Sequence, residues 1–322
     1  MILQAEAVEN NWATLEPMPT TLSGLGVAVV NGKLYVIGSG VTYEYNIAAD
    51  SWNTKTSMPT SRSSFGVAVI DNQIYVIGGG SAVTEVYYPE TDTWETKTSM
   101  DIARSGMSAS VVNEKIYLVG GNEIESPYDE ISVTEVYDPL TDTWATLKQI
   151  PIAVTGHVSA VVGTKIYIIG GAVGRNITQI YDTETDTWNT GATMPTGVDS
   201  AGTGVLEVNE TKRIYVVGGK QNLDAVNLTQ IYDPTTDTWT LGTPMPTARY
   251  SFGVAVLNNT LYAIGGREGW FGAPISAANE QYTPTYGDIP EFQAWIILPV
   301  LASVAAAAVH YKKKLAKKQN WL

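Results

Sequence analysis

The chain has 322 residues, of which 44% are apolar, and this is enough to bury the core of one large domain or two ordinary ones. It contains no cysteine, which excludes disulfides, thiolate metal sites and cysteine nucleophiles, and its two histidines, His157 and His310, nearly exclude imidazole chemistry. The net charge is −13 although five lysines fall within the last eleven residues, so the remaining body is strongly acidic and is expected to repel nucleic acids.

One pattern recurs six times along the chain. In five units a tyrosine precedes a tryptophan by seven residues, as Tyr45 precedes Trp52, and four units share the sequence Thr-Asp-Thr-Trp. Glycine-containing doublets follow the second apolar segment of every unit and begin at residues 38, 78, 120, 170, 218 and 265. Alternation of apolar residues in the second unit predicts four short strands, over residues 66–70, 73–77, 84–88 and 93–97.

The two ends of the repeat region complement each other. The last unit contains Tyr282 but no tryptophan at the expected distance, whereas Trp12 opens the chain without a preceding doublet. We therefore expect residues 11–15 to supply the last strand of the final unit and to close a ring, which removes an exposed sheet edge.

Units of about 40 to 50 residues with a glycine doublet and a tyrosine–tryptophan pair resemble the kelch repeat of β-propellers. The resemblance covers residues 10–284 and implies an all-β fold, a six-bladed kelch-like β-propeller closed by an N-terminal strand. This predicts one propeller domain over 10–286, preceded by an N-terminal remnant, 1–9. The aspartate before each Thr-Trp is expected to close the turn within its own unit through a backbone hydrogen bond.

The composition changes after the propeller. A linker over 287–291 leads to residues 292–311, which contain no Asp, Glu, Lys or Arg and are long enough to form one C-terminal transmembrane helix. Residues 312–322 form a basic tail that should stay cytoplasmic, which would put the propeller outside the cell. A propeller kept in the cytosol with a translocated tail is the alternative, and residues 1–9 contain no apolar run typical of a signal peptide.

The short motif Pro290-Glu291-Phe292, followed by the apolar span and the lysines, resembles the PEF-type C-terminal sorting signal of archaeal surface proteins. The resemblance implies processing by an archaeosortase, although Gln293 stands where family members commonly have proline. Four glycosylation sequons occur about as often as chance predicts and leave modification open: Asn176, Asn209, Asn227 and Asn258.

Three arginines stand at one equivalent position in the loops between the fourth strand of one unit and the first of the next: Arg62, Arg104 and Arg249. In kelch domains that bind acidic peptides, arginines at this kind of position line the channel mouth. The resemblance thus implies an anion-binding mouth, since guanidinium groups suit carboxylates. The alternative is that each arginine pairs with a neighbouring loop carbonyl or carboxylate.

Aromatic residues add to this candidate site. Tyr250 follows Arg249, and the loops after the second strand are long in the third, fifth and sixth units, of which the third contributes Tyr128 and the sixth contributes Trp270 and Phe271. Aromatics on long loops indicate a sugar or protein contact surface, or else a cover for the channel. His157 aligns with apolar residues at the start of the first strand and is expected to be a core or channel-lining substitute.

These observations predict a non-enzymatic, membrane-anchored cell-surface module that binds an acidic glycan or a protein, with no cofactor and no metal. The alternative is an extracytoplasmic carbohydrate-active enzyme of the epimerase or lyase type that uses Arg, Tyr and carboxylate residues in the channel mouth. A galactose-oxidase type is excluded because it needs a cysteine-modified tyrosine. A purely structural envelope component also remains open, as do the ligand and the oligomeric state.

Overall fold

The computed structural model describes residues 12–125, 129–172, 175–269 and 272–284, and the regular structure of these residues consists of 28 β-strands. All of them belong to one compact unit, Glu9–Thr285. Six four-stranded antiparallel sheets form blades around a central axis. The predicted all-β, six-bladed propeller is confirmed.

Each blade runs from an innermost strand, A, through B and C to an outermost strand, D. Blade 1 consists of β2 (Gly26–Val30), β3 (Lys33–Gly38), β4 (Val41–Asn46) and β5 (Ser51–Lys55). Blade 2 consists of β6 (Gly66–Ile70), β7 (Gln73–Ile77), β8 (Thr84–Tyr88) and β9 (Thr93–Lys97). Blade 3 consists of β11 (Ser108–Val112), β12 (Lys115–Val119), β14 (Thr134–Asp138) and β15 (Thr143–Thr146). Blade 4 consists of β16 (Val158–Val162), β17 (Lys165–Ile169), β18 (Thr178–Asp182) and β19 (Thr187–Gly191). Blade 5 consists of β20 (Gly202–Val208), β21 (Thr211–Val217), β24 (Thr229–Asp233) and β25 (Thr238–Leu241). Blade 6 consists of β26 (Gly253–Leu257), β27 (Thr260–Ile264), β28 (Asn279–Tyr282) and β1 (Trp12–Leu15). Two short hairpin-like pairs decorate the loops: β10 (Arg104–Ser105) with β13 (Asn122–Glu123), and β22 (Lys220–Gln221) with β23 (Asp224–Ala225).

The N-terminal strand closes the ring. β1 pairs with β28 so that Trp12 lies opposite Tyr282, as the complementary chain ends predicted. Every innermost strand contacts the innermost strands of both neighbouring blades, including β2 with β26. Each blade therefore has a neighbour on both sides. Because β1 pairs with β28, the third strand of blade 6 is not left as an exposed sheet edge that would invite aggregation.

Local sequence accounts for the strands and their turns. The four strands of blade 2 have the bounds that the alternation of apolar residues predicted. Strands A and B are joined by two-residue turns, and in five of the six blades both turn residues adopt positive φ, a conformation that asparagine, aspartate and glycine tolerate best. Asn31-Gly32, Asp71-Asn72 and Asn258-Asn259 are examples. In blade 4 only Gly163 adopts positive φ.

A repeated latch joins each of blades 1 to 5 to the blade before it. In blade 3 the Tyr137 hydroxyl donates to Asp142 Oδ1 at 2.6 Å, and the same oxygen accepts the backbone N–H of Thr98, which follows blade 2, at 2.9 Å. Trp144 Nε1 donates to the carbonyl of Thr98 at 2.9 Å. Blades 1, 2, 4 and 5 repeat this latch. The aspartate thus connects two blades, rather than only closing its own turn as expected.

Several predicted segments lie outside the described residues: the remnant 1–9, the linker 287–291, the motif Pro290-Glu291-Phe292, the span 292–311 and the basic tail 312–322. In the part of the chain that the structure describes, no helix has the length and apolar character needed to cross a membrane.

Candidate functional site

The two faces of the propeller are built from different connections. The D-to-A and B-to-C connections lie together on one side, called the loop face, because isolated bridges join them, as between Ser81 and Arg104 and between Tyr250 and Arg267. The A-to-B and C-to-D connections form the opposite, turn face. The sequence correctly predicted that the two sets of loops share a face.

A closed ring of six backbone hydrogen bonds surrounds the channel on the loop face. Each participating residue donates its N–H to the carbonyl of its counterpart in a neighbouring loop, with N···O distances from 2.7 to 2.9 Å. All six adopt positive φ, between 53° and 68°, and they are small: Gly24, Ser64, Gly106, Gly156, Ser200 and Ser251. This mouth ring fixes the loops relative to one another, and its backbone donors are already occupied.

The three predicted anion-binding arginines are buried beside this ring. Arg104 and Arg249 are fully buried, and Arg62 is 7% exposed. Each pairs with a glutamate of strand C in its own blade: Arg62 with Glu85, Arg104 with Glu135 at 2.6 Å, and Arg249 with Glu280 at 2.6 Å. Burial lowers the pKa of Arg62 and of Arg249, while the paired glutamate opposes this shift, so each guanidinium is held as half of an ion pair.

The same position in strand C holds the D-to-A loop in the other blades by different chemistry. Where the loop has valine, strand C has glutamine, whose amide exchanges two hydrogen bonds with the loop backbone: Gln179 with Ile152 at 2.9 and 3.0 Å, and Gln230 with Thr196 at 2.8 and 2.9 Å. In blade 1 the Tyr43 hydroxyl bonds the Thr20 hydroxyl at 3.2 Å. These contacts form a loop clasp in every blade, and the arginine–glutamate pairs are three of its six versions.

The expectation that Arg62, Arg104 and Arg249 present their charge to an acidic ligand is therefore corrected. Their guanidinium groups are desolvated and committed to carboxylates, which matches the alternative of pairing with a neighbouring group. A signal in the repeats could have shown this, because the residue two before the repeat tyrosine is glutamate wherever the loop has arginine and glutamine wherever it has valine.

Tyr250 remains partly exposed on the loop face. Its ring lies 5.5 Å from Lys220 Nζ, and Lys220 in turn lies 3.4 Å from Asp199 Oδ1. Burial raises the pKa of Asp199, and the nearby ammonium of Lys220 opposes the shift. The ammonium group of Lys220 thus contacts both the carboxylate of Asp199 and the ring of Tyr250. Tyr128, Trp270 and Phe271 lie outside the described residues, so their place in the site stays a prediction.

Exposed apolar side chains mark the loop face independently of these predictions. Ile124, Ile152 and Leu223 are 40%, 48% and 49% exposed, and each lies in a D-to-A or B-to-C loop. Arg175 holds the surroundings of two of them in place, because its Nη1 pairs with Glu130 and donates to the carbonyl of Ala153 at 2.7 Å. Sequence analysis did not single out these residues, because isolated aliphatic residues in loops carry no repeat signal.

A central cavity of about 200 Å³ lies where the six innermost strands begin. Its lining includes one ring of equivalent residues: Leu25, Phe65, Met107, His157, Ala201 and Phe252. The prediction that His157 substitutes for an apolar residue at this level is confirmed. His157 is 6% exposed, its Nε2 lies 2.7 Å from Ser108 Oγ, and burial lowers its pKa to about 3.

Within the described ranges, no group of three or more histidine, aspartate or glutamate side chains is arranged to hold a metal ion.

Comparisons with solved structures and curated proteins are consistent with this geometry. A solved structure titled "Structure of YjhT" superimposes with a TM-score of 0.75, over 86% of this chain and 99% of that one, at 18% identity. At that identity the likeness shows the fold alone. Kelch-like protein 23 of Mus musculus is 42% identical over 73 residues, and the Influenza virus NS1A-binding protein homolog of Mus musculus is 36% identical over 69 residues.

These matches cover 22% and 21% of this chain, and they span only 12% and 10% of the curated relatives. Two family models match the repeat region itself: the Kelch motif over residues 61–101, and the KLHDC2/KLHL20/DRC7 Kelch-repeats domain over residues 84–266. Because the second model spans more than half of the chain, the chain belongs to the KLHDC2/KLHL20/DRC7 Kelch-repeats domain family.

Proposed function

We propose that this kelch propeller is a binding module that recognises a partner protein through its loop face. A kelch propeller is typically a protein-binding module, and one observation assigns the role to this face: the loop face varies from blade to blade, whereas the turn face is nearly uniform. Functional surfaces are commonly built on variable loops that a rigid scaffold positions.

The connection lengths make the contrast plain. All six A-to-B turns have two residues, and the C-to-D turns of blades 1 to 5 have four residues each. The B-to-C connection, by contrast, has two residues in blade 1, Ser39 and Gly40, but fourteen in blade 3, over residues 120–133. The uniform turns of the turn face follow from the repeated blade structure. The differences in loop length on the loop face are not required by the fold.

Ile124, Ile152 and Leu223 supply the apolar part of the proposed surface. About half of each side chain is already buried, so covering the rest in an interface is favourable by roughly 1 kcal/mol per residue. The contact of Arg175 with Glu130 and Ala153 orders the loops around Ile124 and Ile152. The partner would thus meet a preorganised surface, which lowers the entropy lost on binding.

Site-specific photo-crosslinking tests this proposal. A photoreactive amino acid placed at Ile124 or Ile152 should give a discrete protein adduct in extracts of the source organism. The matched control is Leu140, which is 93% exposed but lies in a C-to-D turn on the opposite face. With the photoreactive residue at one of the two positions, a charge substitution at the other should abolish the adduct. Adducts of equal yield from Leu140, or none from the loop face, would contradict the assignment of this face.

An acidic ligand and a sugar-modifying activity have weaker support. Both expectations relied on accessible arginines, and the carboxylates within reach of Arg62 and Arg249 are themselves buried, at 2% and 3% side-chain exposure. A substrate could not exchange a proton with a carboxylate that it cannot reach. The arrangement therefore favours binding over catalysis at this position.

We also propose that the propeller is displayed at the cell surface on a membrane anchor. The support is the uncharged span 292–311 followed by five lysines within 312–322. Protease added to intact cells that express the complete gene should digest the propeller, and the protein should sediment with membranes. Protection of the propeller until the cells are lysed would contradict the orientation, and recovery in the soluble fraction would contradict the anchor.

A further inference from the structure

The fold separates the four glycosylation sequons into two classes. Each sequon pairs an asparagine with a threonine two residues later, and an oligosaccharyltransferase must reach both side chains. The sequons of Asn176 and Asn227 run into the start of strand C, whereas those of Asn209 and Asn258 begin in A-to-B turns. Access to the asparagine amide and to the threonine hydroxyl therefore decides which sequons can be modified in the folded chain.

The two sequons at strand C owe their threonine to the repeat. Thr178 and Thr229 begin their strands and are only 0% and 1% exposed. The equivalent threonines of blades 1 to 3 are buried in the same way: Thr42, Thr84 and Thr134. One asparagine is also engaged, because Asn227 Nδ2 donates to the carbonyl of Met245 at 3.1 Å. The fold thus accounts for these threonines without any modification.

The other two, the open sequons, are accessible and are not required by the repeat. Asn209 and Asn258 are exposed, with φ of 53° and 49°, and neither side-chain amide has a hydrogen-bond partner among the described residues. Thr211 and Thr260 are partly exposed and begin strand B. The first four blades have lysine or glutamine there: Lys33, Gln73, Lys115 and Lys165. Positive φ explains the asparagine, but nothing in the repeat explains the threonine.

The two open sequons lie side by side. Asn259, the middle residue of the second one, exchanges two hydrogen bonds with the backbone of Glu207 in blade 5, at 2.7 and 2.8 Å. This contact joins two neighbouring hairpins near their tips on the turn face. The proposed partner-binding surface lies on the opposite, loop face, so bulky groups attached at these turns would leave it uncovered.

We propose that Asn209 and Asn258 carry N-linked oligosaccharides, a proposal that rests on the proposed display of the propeller outside the cell. An oligosaccharyltransferase joins each asparagine side-chain nitrogen to the anomeric carbon of a sugar carried on a lipid pyrophosphate. The bond from that carbon to the phosphate oxygen breaks, and the lipid pyrophosphate leaves with the electron pair. The amide nitrogen gives its proton to a base of the transferase. Asn176 and Asn227 stay unmodified.

Mass spectrometry of glycopeptides from the full-length protein of the source organism tests the proposal. Asn176 and Asn227 should be at least about tenfold less occupied than Asn209 and Asn258, because their threonines become accessible only when strand C opens. If external protease digests the propeller but neither open sequon is modified, this inference fails while the display stands. If the propeller is protected from the protease, the display fails and the inference falls with it.

Transfer in vitro separates the effect of the fold from that of location. A purified oligosaccharyltransferase that needs only the three-residue sequon, supplied with a lipid-linked oligosaccharide, should modify the folded chain at Asn209 and Asn258 alone. Peptides that contain each of the four sequons should all be modified. Equal modification of all four in the folded chain, or no transfer to either open sequon, would overturn the assignment.

Matched variants test the role of the threonine. Thr211→Val should abolish transfer to Asn209 and leave transfer to Asn258 unchanged. Lys115→Thr is the converse, because the exposed turn of blade 3 already has Asn113 followed by Glu114, as blade 5 has asparagine followed by glutamate, and lacks only the threonine. The folded variant should gain a glycan on Asn113. Absence of this gain would show that an exposed sequon at an A-to-B turn is not sufficient and would refute the reasoning.

Discussion

Replacing His157 with leucine, the residue at the equivalent place in blade 1, should flatten the dependence of the unfolding free energy on pH. The imidazole is buried beside the central cavity, where no other ionisable side chain among the described residues lines the wall, and its pKa falls from the ordinary value of 6.5 to about 3. In the unfolded chain the same imidazole protonates near its ordinary pKa. The folded state therefore binds fewer protons than the unfolded state between these two values.

The sign and size of the effect follow from proton linkage. Because the folded pKa is lowered, the contribution of His157 to stability is complete above pH 6.5 and is lost as the pH falls toward 3. Between pH 7.5 and pH 5.0 the unfolded state gains about 2 kcal/mol from protonation of this imidazole, while the folded state gains almost nothing. The value is insensitive to the folded pKa, provided that this pKa lies well below 5.

Urea unfolding of the isolated propeller at the two pH values measures this loss. The wild type should lose about 2 kcal/mol more stability between pH 7.5 and 5.0 than His157→Leu, whatever the effect of the substitution at pH 7.5. Met107→Leu, in the same ring but without an ionisable group, is the matched control and should keep the wild-type dependence. The reasoning would be refuted if His157→Leu and the wild type lost equal stability, since the folded protein would then protonate His157 freely.

The loop clasp, the mouth ring and the tyrosines give three further predictions. Arg104→Ala should destabilise the folded propeller by about 3–5 kcal/mol in urea unfolding, because Glu135 is left buried and unpaired. The double variant Arg104→Val with Glu135→Gln copies the residue pair of blades 4 and 5 and should recover most of that loss. Gly106→Ala should cost about 1–2 kcal/mol at a φ of +68°, where a Cβ would meet Thr155 Oγ1 at 2.4 Å; an unchanged melting temperature would contradict a strained ring. Burial raises the pKa of Tyr75 to about 12, so its contribution to stability is complete below pH 10 and is lost as the pH rises toward 12; equal loss of stability by the wild type and Tyr75→Phe over this range in urea unfolding would count against this.

Much of the fold could be predicted from the sequence because its signals are local and repeated. Strand alternation, glycine doublets and the tyrosine–tryptophan spacing each act within about ten residues, and six copies average out the noise of any one. The closing strand was also predictable, because Trp12 and Tyr282 are two halves of one repeated pair. Even the burial of His157 followed from its alignment with apolar residues.

The environment of the charged and polar side chains was decided by the tertiary structure. Arg104 and Glu135 are 31 positions apart, and Thr98 and Asp142 are 44 positions apart, so nothing in the local pattern states that either pair meets. The same arginine on the same loop would present its charge to solvent if strand C offered no carboxylate. Whether a charge is free to bind a ligand depends on its desolvation and on the groups that face it, and both exist only once the blades have packed around the channel.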